Sequence, residues 1–220
     1  MNENEIRKKI EELESEKADY DQMDENGDFN CDLYEEYDLI RGQLEAYKAV
    51  LKEVEMMWTK EKIEQAYQNG RRNFSREDFS SLDLRSVILT DADLSGADMT
   101  DADLGGADLT DADLRGAILT EADLRGADLT EACMTGADLT GANLTGVILT
   151  GAILTGAILT GADLTGAYMR GARMTDADLR GADMTDADLT GADLRRAILT
   201  GANLTGTKAI LKAALDFMRS

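Results

Sequence analysis

From Leu84 to Leu204 every fifth residue is Leu or Met, twenty-five times in succession. From Ala92 to Ala202 the residue two positions earlier is Ala in every unit except at Val147. A helix repeats its apolar positions every 3.6 residues and a strand every 2, so an unbroken period of five predicts a repeat architecture instead. Each unit supplies one large and one small apolar side chain to an interior and leaves three positions that tolerate polar groups.

Upstream the period changes. Leu33, Tyr37, Ile40, Leu44, Tyr47, Leu51, Val54 and Trp58 alternate four and three residues apart, which predicts a helix with a coiled-coil-like heptad seam. Ile6, Ile10, Leu13 and Tyr20 form a shorter seam interrupted at Lys17. Together they predict an α-helical hairpin over residues 1–58, joined by a loop around Asp24 to Asp32. Its apolar edge either packs within the chain or forms a homodimer. A short capping helix is expected over 59–72, with Thr59 as N-cap and Asn69-Gly70 as its end. After residue 206, apolar Ile210, Leu211, Leu215, Phe217 and Met218 oppose a polar stripe of Lys208, Lys212, Asp216 and Arg219. That pattern predicts a second capping helix over 207–220, or alternatively an end-to-end dimer contact.

The repeated unit reads Ala-(Asp/Asn/Ile)-Leu-(Thr/Arg)-(Gly/Asp), as in Ala137-Asp138-Leu139-Thr140-Gly141 followed by Ala142-Asn143-Leu144-Thr145-Gly146. It resembles the pentapeptide-repeat family, whose pattern is A(D/N)LXX, and the helix-Gly-Phe entry at residues 59–74 resembles the caps of its cyanobacterial members. The resemblance implies a mainly β solenoid over residues 73–206: a right-handed quadrilateral β-helix with four units per coil. The 27 units from Phe74 to Leu204 would form six to seven coils, about 32 Å tall at the usual inter-strand spacing. Residues twenty apart then stack on one face. From Leu139 to Ala162 the chain carries no charge, a length that suits a membrane span, but the register runs through it unbroken and it is read as one coil. Ile148, Ile153 and Ile158, with Tyr168 stacked over Ile148, make a candidate interaction belt; the bland alternative is that they are good strand formers.

Composition narrows the chemistry. The chain has 220 residues, no Pro, no His and a net charge of −21. Without imidazole it has no His base, no zinc site of the usual kind and no Ser-His-Asp relay. Its glycines follow the structural period, so Gly105-Gly106 is not a phosphate loop. The expectation is a protein that is not an enzyme, acting as a structural or protein-interaction module. Its acidity opposes direct nucleic-acid or anionic-membrane binding and favours neutral or basic protein partners. Between Asn73 and Gly206 stand 23 acidic and 9 basic residues; that net of −14 over about 32 Å is roughly 0.4 charge per Å, against about 0.6 for duplex DNA. The quinolone-resistance branch of the family resembles a duplex and binds DNA gyrase, so the resemblance implies a second reading, a DNA mimic acting on a type II topoisomerase. This chain lacks a loop interrupting its coils and has an uncharged middle.

Asp24, Asn26, Asp28, Asp32 and Glu35 resemble positions 1, 3, 5, 9 and 12 of an EF-hand loop, a spacing that converges oxygens on calcium. Phe29 stands where the sixth-position Gly is expected, so an acidic hairpin turn is the alternative. Beyond calcium no cofactor is expected. Cys31 and Cys133 are expected to be free thiols. The opening MNENEIRKK lacks an apolar signal core, which makes cytoplasmic residence the expectation.

Overall fold

The computed structural model describes residues 3–26 and 34–208, and the chain divides into two units, Met1–Met57 and Trp58–Ser220. In the first, α1 (Glu3–Asn26) and α2 (Tyr34–Met56) form a hairpin. Ile6, Ile10 and Leu13 of α1 are buried with Ile40 and Leu44 of α2, and Tyr47, Leu51 and Val54 border that core. The pairing is antiparallel: Lys48 Nζ lies 2.9 Å from Glu14, and the Tyr37 hydroxyl donates to Asp21 at 2.9 Å. The heptad seam is therefore occupied from within the chain. One expected member leaves it, because Trp58 belongs to the second unit.

The second unit is a four-sided coil. Parallel bridges join residues twenty apart without interruption, from Asn73 with Asp93 to Asp188 with Lys208, so four five-residue units complete one turn. The unit 127–131 shows how the backbone is satisfied. Asp128 N–H donates to Ala107 O at 2.9 Å in the preceding coil, while Leu129 and Glu131 donate to Ile148 O and Thr150 O, at 2.8 and 3.0 Å, in the next. Ala127 N–H closes the corner on Leu124 O at 3.0 Å. The fifth donor, Thr130 N–H, is taken by the Asp128 side chain at 3.0 Å. All five amide groups of the unit are thus paired, as burial requires.

Inside, the Leu/Met column and the Ala column are sealed from water: Leu129, Leu144, Leu164 and their Ala partners are 0–1% exposed. Removing a Leu side chain from water contributes on the order of 2 kcal/mol. The column is shared between neighbouring coils, so each coil's stability depends on the next.

The entrance to the column is covered by α3 (Lys60–Gln68), whose N-cap Thr59 accepts from Lys62 N–H. Ile63 of α3 is fully buried in the solenoid core, with Trp58, Ala66 and Tyr67 packed beside it. Trp58 meets Phe74 and Phe79 edge-on, at 5.9 and 5.7 Å between ring centroids, and its indole N–H donates to Glu77 at 2.8 Å. Arg71 covers the Trp58 ring at 4.8 Å. At the far end Leu194, Leu199 and Leu204 are only partly buried. The C-terminal cap expected over 207–220 falls from residue 209 onward outside the described residues.

Candidate interaction surface

Three residues of each unit build the outer wall, and each has a distinct structural duty. The residue before the central Leu is usually Asp because its carboxylate closes the corner. In Asp128, Asp138 and Asp183 one oxygen takes both the amide and the hydroxyl of the Thr two residues on, at 2.6–3.0 Å. Asn143 does the same for Thr145, at 3.1 and 2.7 Å. This is the Asx turn, which Asp and Asn make and Ile cannot.

Where Arg replaces that Thr, the guanidinium also reaches back to the carboxylate. Arg85, Arg115, Arg125, Arg180 and Arg195 fork onto Asp83, Asp113, Asp123, Asp178 and Asp193. These contacts hold the carboxyls in their ionised form. The Arg195 hydrogen bond pushes Asp193 down to about 2, and Arg hydrogen bonds also lower Asp113, Asp123 and Asp178. Thr hydroxyls act likewise on Asp108, Asp183 and Asp188. A general acid working near neutral pH needs a carboxyl shifted upward; every Asp with a resolved shift is shifted the other way.

The fifth residue of each unit turns the corner with positive φ. It is Gly at sixteen corners, such as Gly146 at +66°, and another residue at eleven, such as Asp111 at +57° and Glu131 at +58°. This left-handed backbone is free for Gly, tolerated by Asp and strained for most others. The Gly/Asp choice read in the sequence only as part of the repeat is therefore a backbone requirement.

The wall carries three zones along the column. Asn73 to Asp138 holds 16 acidic and 4 basic residues, Leu139 to Ala162 holds no charge, and Asp163 to Lys208 holds 7 acidic and 6 basic. The belt residues occupy stacked outward positions: Ile148 bridges Tyr168, Cys133 bridges Ile153, and Ile158 lies between Asp138 and Asp178. Ile158 and Tyr168 are 40% and 52% exposed, whereas Ile148 and Ile153 are half-buried. Ile88, Ile118 and Ile198 are also exposed, which the belt reading did not include; Ile118, Ile158 and Ile198 share one face, forty residues apart. Cys133 is a free thiol, half-buried in the wall.

Of the EF-hand-like set, Asp28 and Asp32 lie outside the described residues, while the backbones of Asp24 and Asn26 belong to α1 and that of Glu35 to α2. Among the described residues no group of three or more acidic or thiol side chains is placed to hold a metal ion. No helix of the described residues is long and apolar enough to cross a membrane.

The family model for pentapeptide repeats matches in eight copies, over residues 78–116, 107–146, 137–176 and 172–208. Among solved structures, the chain is similar to HetL, a pentapeptide repeat protein involved in heterocyst differentiation regulation in Nostoc sp. strain PCC 7120, with 29% identity over 69% of this chain and 97% of that one and a TM-score of 0.36. It is similar also to a thylakoid-lumen pentapeptide repeat protein of Arabidopsis thaliana, with 34% identity, 50% and 69% coverage and a TM-score of 0.39. For QnrB1, a plasmid-mediated fluoroquinolone resistance protein, the figures are 23% identity, 67% and 91% coverage and a TM-score of 0.39. No curated protein matches significantly.

Proposed function

Because the chain belongs to the pentapeptide-repeat family, we propose that it is a non-catalytic scaffold that binds a protein partner on the outside of its right-handed four-sided β-helix. The observation that carries this is the zoned wall: an uncharged coil between an acidic stretch and a nearly neutral one, with Ile158 exposed on one face of it and Tyr168, stacked on Ile148, exposed at its border on the opposite face. A partner that covers the belt gives up little hydration of charge, since charged groups are the costly ones to desolvate. The acidic coils beside it steer partners with a basic rim. The lowered carboxyls of Asp108, Asp113, Asp123, Asp178, Asp183, Asp188 and Asp193 support the scaffold role, because each is held ionised by a hydrogen bond within its own unit.

The experiment is affinity capture of proteins from the source organism, comparing the unmodified chain with Ile158→Glu/Tyr168→Glu and with Asp101→Asn/Glu121→Gln. A belt partner is lost from the first variant and retained, with weaker salt dependence, by the second. Capture that is indifferent to the belt variant refutes the reading.

One observation favours a second reading. The net of −12 between Asn73 and Asp138 spreads over 66 residues, just over three coils or about 16 Å, giving roughly 0.75 charge per Å against about 0.6 for duplex DNA. A DNA mimic acting on a type II topoisomerase would inhibit or protect gyrase supercoiling in a salt-sensitive way; a scaffold leaves supercoiling unchanged.

A further inference from the structure

α2 is apolar on two sides about 100° apart round the helix, and α1 covers one of them. The other side runs Leu39, Gln43, Ala46, Val50, Glu53 and, just past the helix end, Met57, alternately four and three residues apart. Leu39, Val50 and Met57 are 60%, 45% and 65% exposed, and Gly42, Ala46 and Ala49 are exposed with them. On α1 the solvent side is charged, carrying Lys8, Glu11, Glu12 and Asp19. The apolar outer face is thus a property of α2, not of the hairpin at large.

We propose that this face binds the same face of α2 in a second copy of the chain, antiparallel, so that two hairpins form a four-helix bundle. The stripe is self-complementary about residue 48: in antiparallel register Leu39 lies opposite Met57, Gln43 opposite Glu53, and Ala46 opposite Val50. A twofold contact requires this, since each residue must suit the one that its symmetry mate faces. Apolar residues meet apolar ones, and the polar pairing of Gln43 with Glu53, made twice by symmetry, matches an amide donor to a carboxylate. Gly42 has no atom within 4 Å of an added Cβ, and with Ala49 seven residues on it keeps one flank of the stripe low enough for two backbones to approach closely. Lys48 points elsewhere, to Glu14 of α1, leaving the contact uncharged at its centre. The hairpin core also calls for a second layer, because its buried apolar set among the described residues is five side chains and small two-helix units bury too little surface to be stable alone.

The contact is modest. The eighteen steps from Leu39 to Met57, one residue past the end of α2, rise about 27 Å, and a stripe about 10 Å wide covers some 270 Å² per copy, or about 540 Å² in total, well under a standard interface. A contact this small makes a weak, reversible dimer. This pairing does not rest on the belt reading, but it would present two solenoids together and raise avidity for a repetitive partner.

Sedimentation equilibrium of the full chain between about 5 and 500 µM tests it. The expected result is a concentration-dependent rise from 23.9 kDa towards twice that mass. Val50→Glu, with ellipticity at 222 nm recorded to show that the helices persist, abolishes the rise. Gln43→Lys, opposite Glu53, tightens association and Gln43→Glu weakens it, each about three- to tenfold. The Gln43 pair still decides if Val50→Glu loses helix. A chain monomeric throughout, a dimer untouched by Val50→Glu with its helices intact, or Gln43→Lys weakening association as much as Gln43→Glu would each overturn the proposal.

Discussion

Gly146 turns a corner of the uncharged coil at φ +66°, and a Cβ built there meets no atom within 4 Å. Packing therefore cannot decide which residue is tolerated; only the backbone can. An L-residue held in left-handed geometry costs roughly 1–2 kcal/mol, offset by about 0.4–1 kcal/mol because losing Gly stiffens the unfolded chain. Gly146→Ala should then destabilise by about 0.5–1 kcal/mol, Gly146→Asn by less, since Asn visits this region more readily, and Gly146→Val by about 2, since a β-branched residue is a genuine outlier there. For a unit of this size the Tm falls by about 2–3 °C for Ala and about 5 °C for Val. Thermal unfolding followed by circular dichroism near 218 nm measures the series. The ranking is diagnostic because an ordinary β-strand position favours Val over Ala and Ala over Gly. A Val variant as stable as the Ala variant, or better, would refute the corner geometry. The mirror substitution has the opposite sign: Glu131→Gly, relieving a residue at φ +58°, should raise the Tm.

Three further outcomes follow from the same geometry. Leu144→Ala, in a side chain with 0% exposure, should cost about 3–4 kcal/mol and shift the denaturant midpoint accordingly, because coils on both sides lose contacts. Asp128→Ala removes the acceptor of the Thr130 amide and hydroxyl and should cost about 1 kcal/mol, whereas Asp128→Asn, which drops the charge but keeps the oxygen as Asn143 does, should be nearly neutral. Acid should weaken the solenoid as well. A carboxyl depressed in the folded state stabilises it fully above the unfolded value near 3.9 and loses that contribution as pH falls through the folded value, about 2 for Asp193. Melting temperatures should hold from neutral pH down to about 5 and drop between about 4 and 2; Asp193→Asn should shrink the drop.

The solenoid was legible because its signal is redundant: one Leu or Met every five residues leaves no competing period. Thr59 and Gly70 were readable at α3 for a related reason, since cap chemistry is local and a φ of +90° at Gly70 calls for the residue found there. What the sequence hid was tertiary or double-purpose. Trp58 fits the heptad of α2 by spacing, yet it packs on Phe74 and Phe79, because two aromatic rings at the solenoid entrance bury more of it than a helix end can. Asp at the position before Leu reads as surface charge, and its role as the corner's acceptor shows only when the fifth amide of each unit is accounted for. The outer face of α2 went unread because the stronger seam on the α1 side masks a second apolar pattern at the same spacing.

The twenty-residue coil can be tested through one native thiol. Cys133 stacks directly against Ile153 in the next coil, at the inter-strand spacing of about 4.8 Å and within disulfide reach, while Asn143, ten residues away, lies two faces round the coil. In a Cys31→Ser background, oxidation should join Cys133 to the new thiol of Ile153→Cys within one chain and should leave Asn143→Cys unjoined. An intramolecular disulfide in the Asn143 variant and none in the Ile153 variant would contradict the four-sided coil.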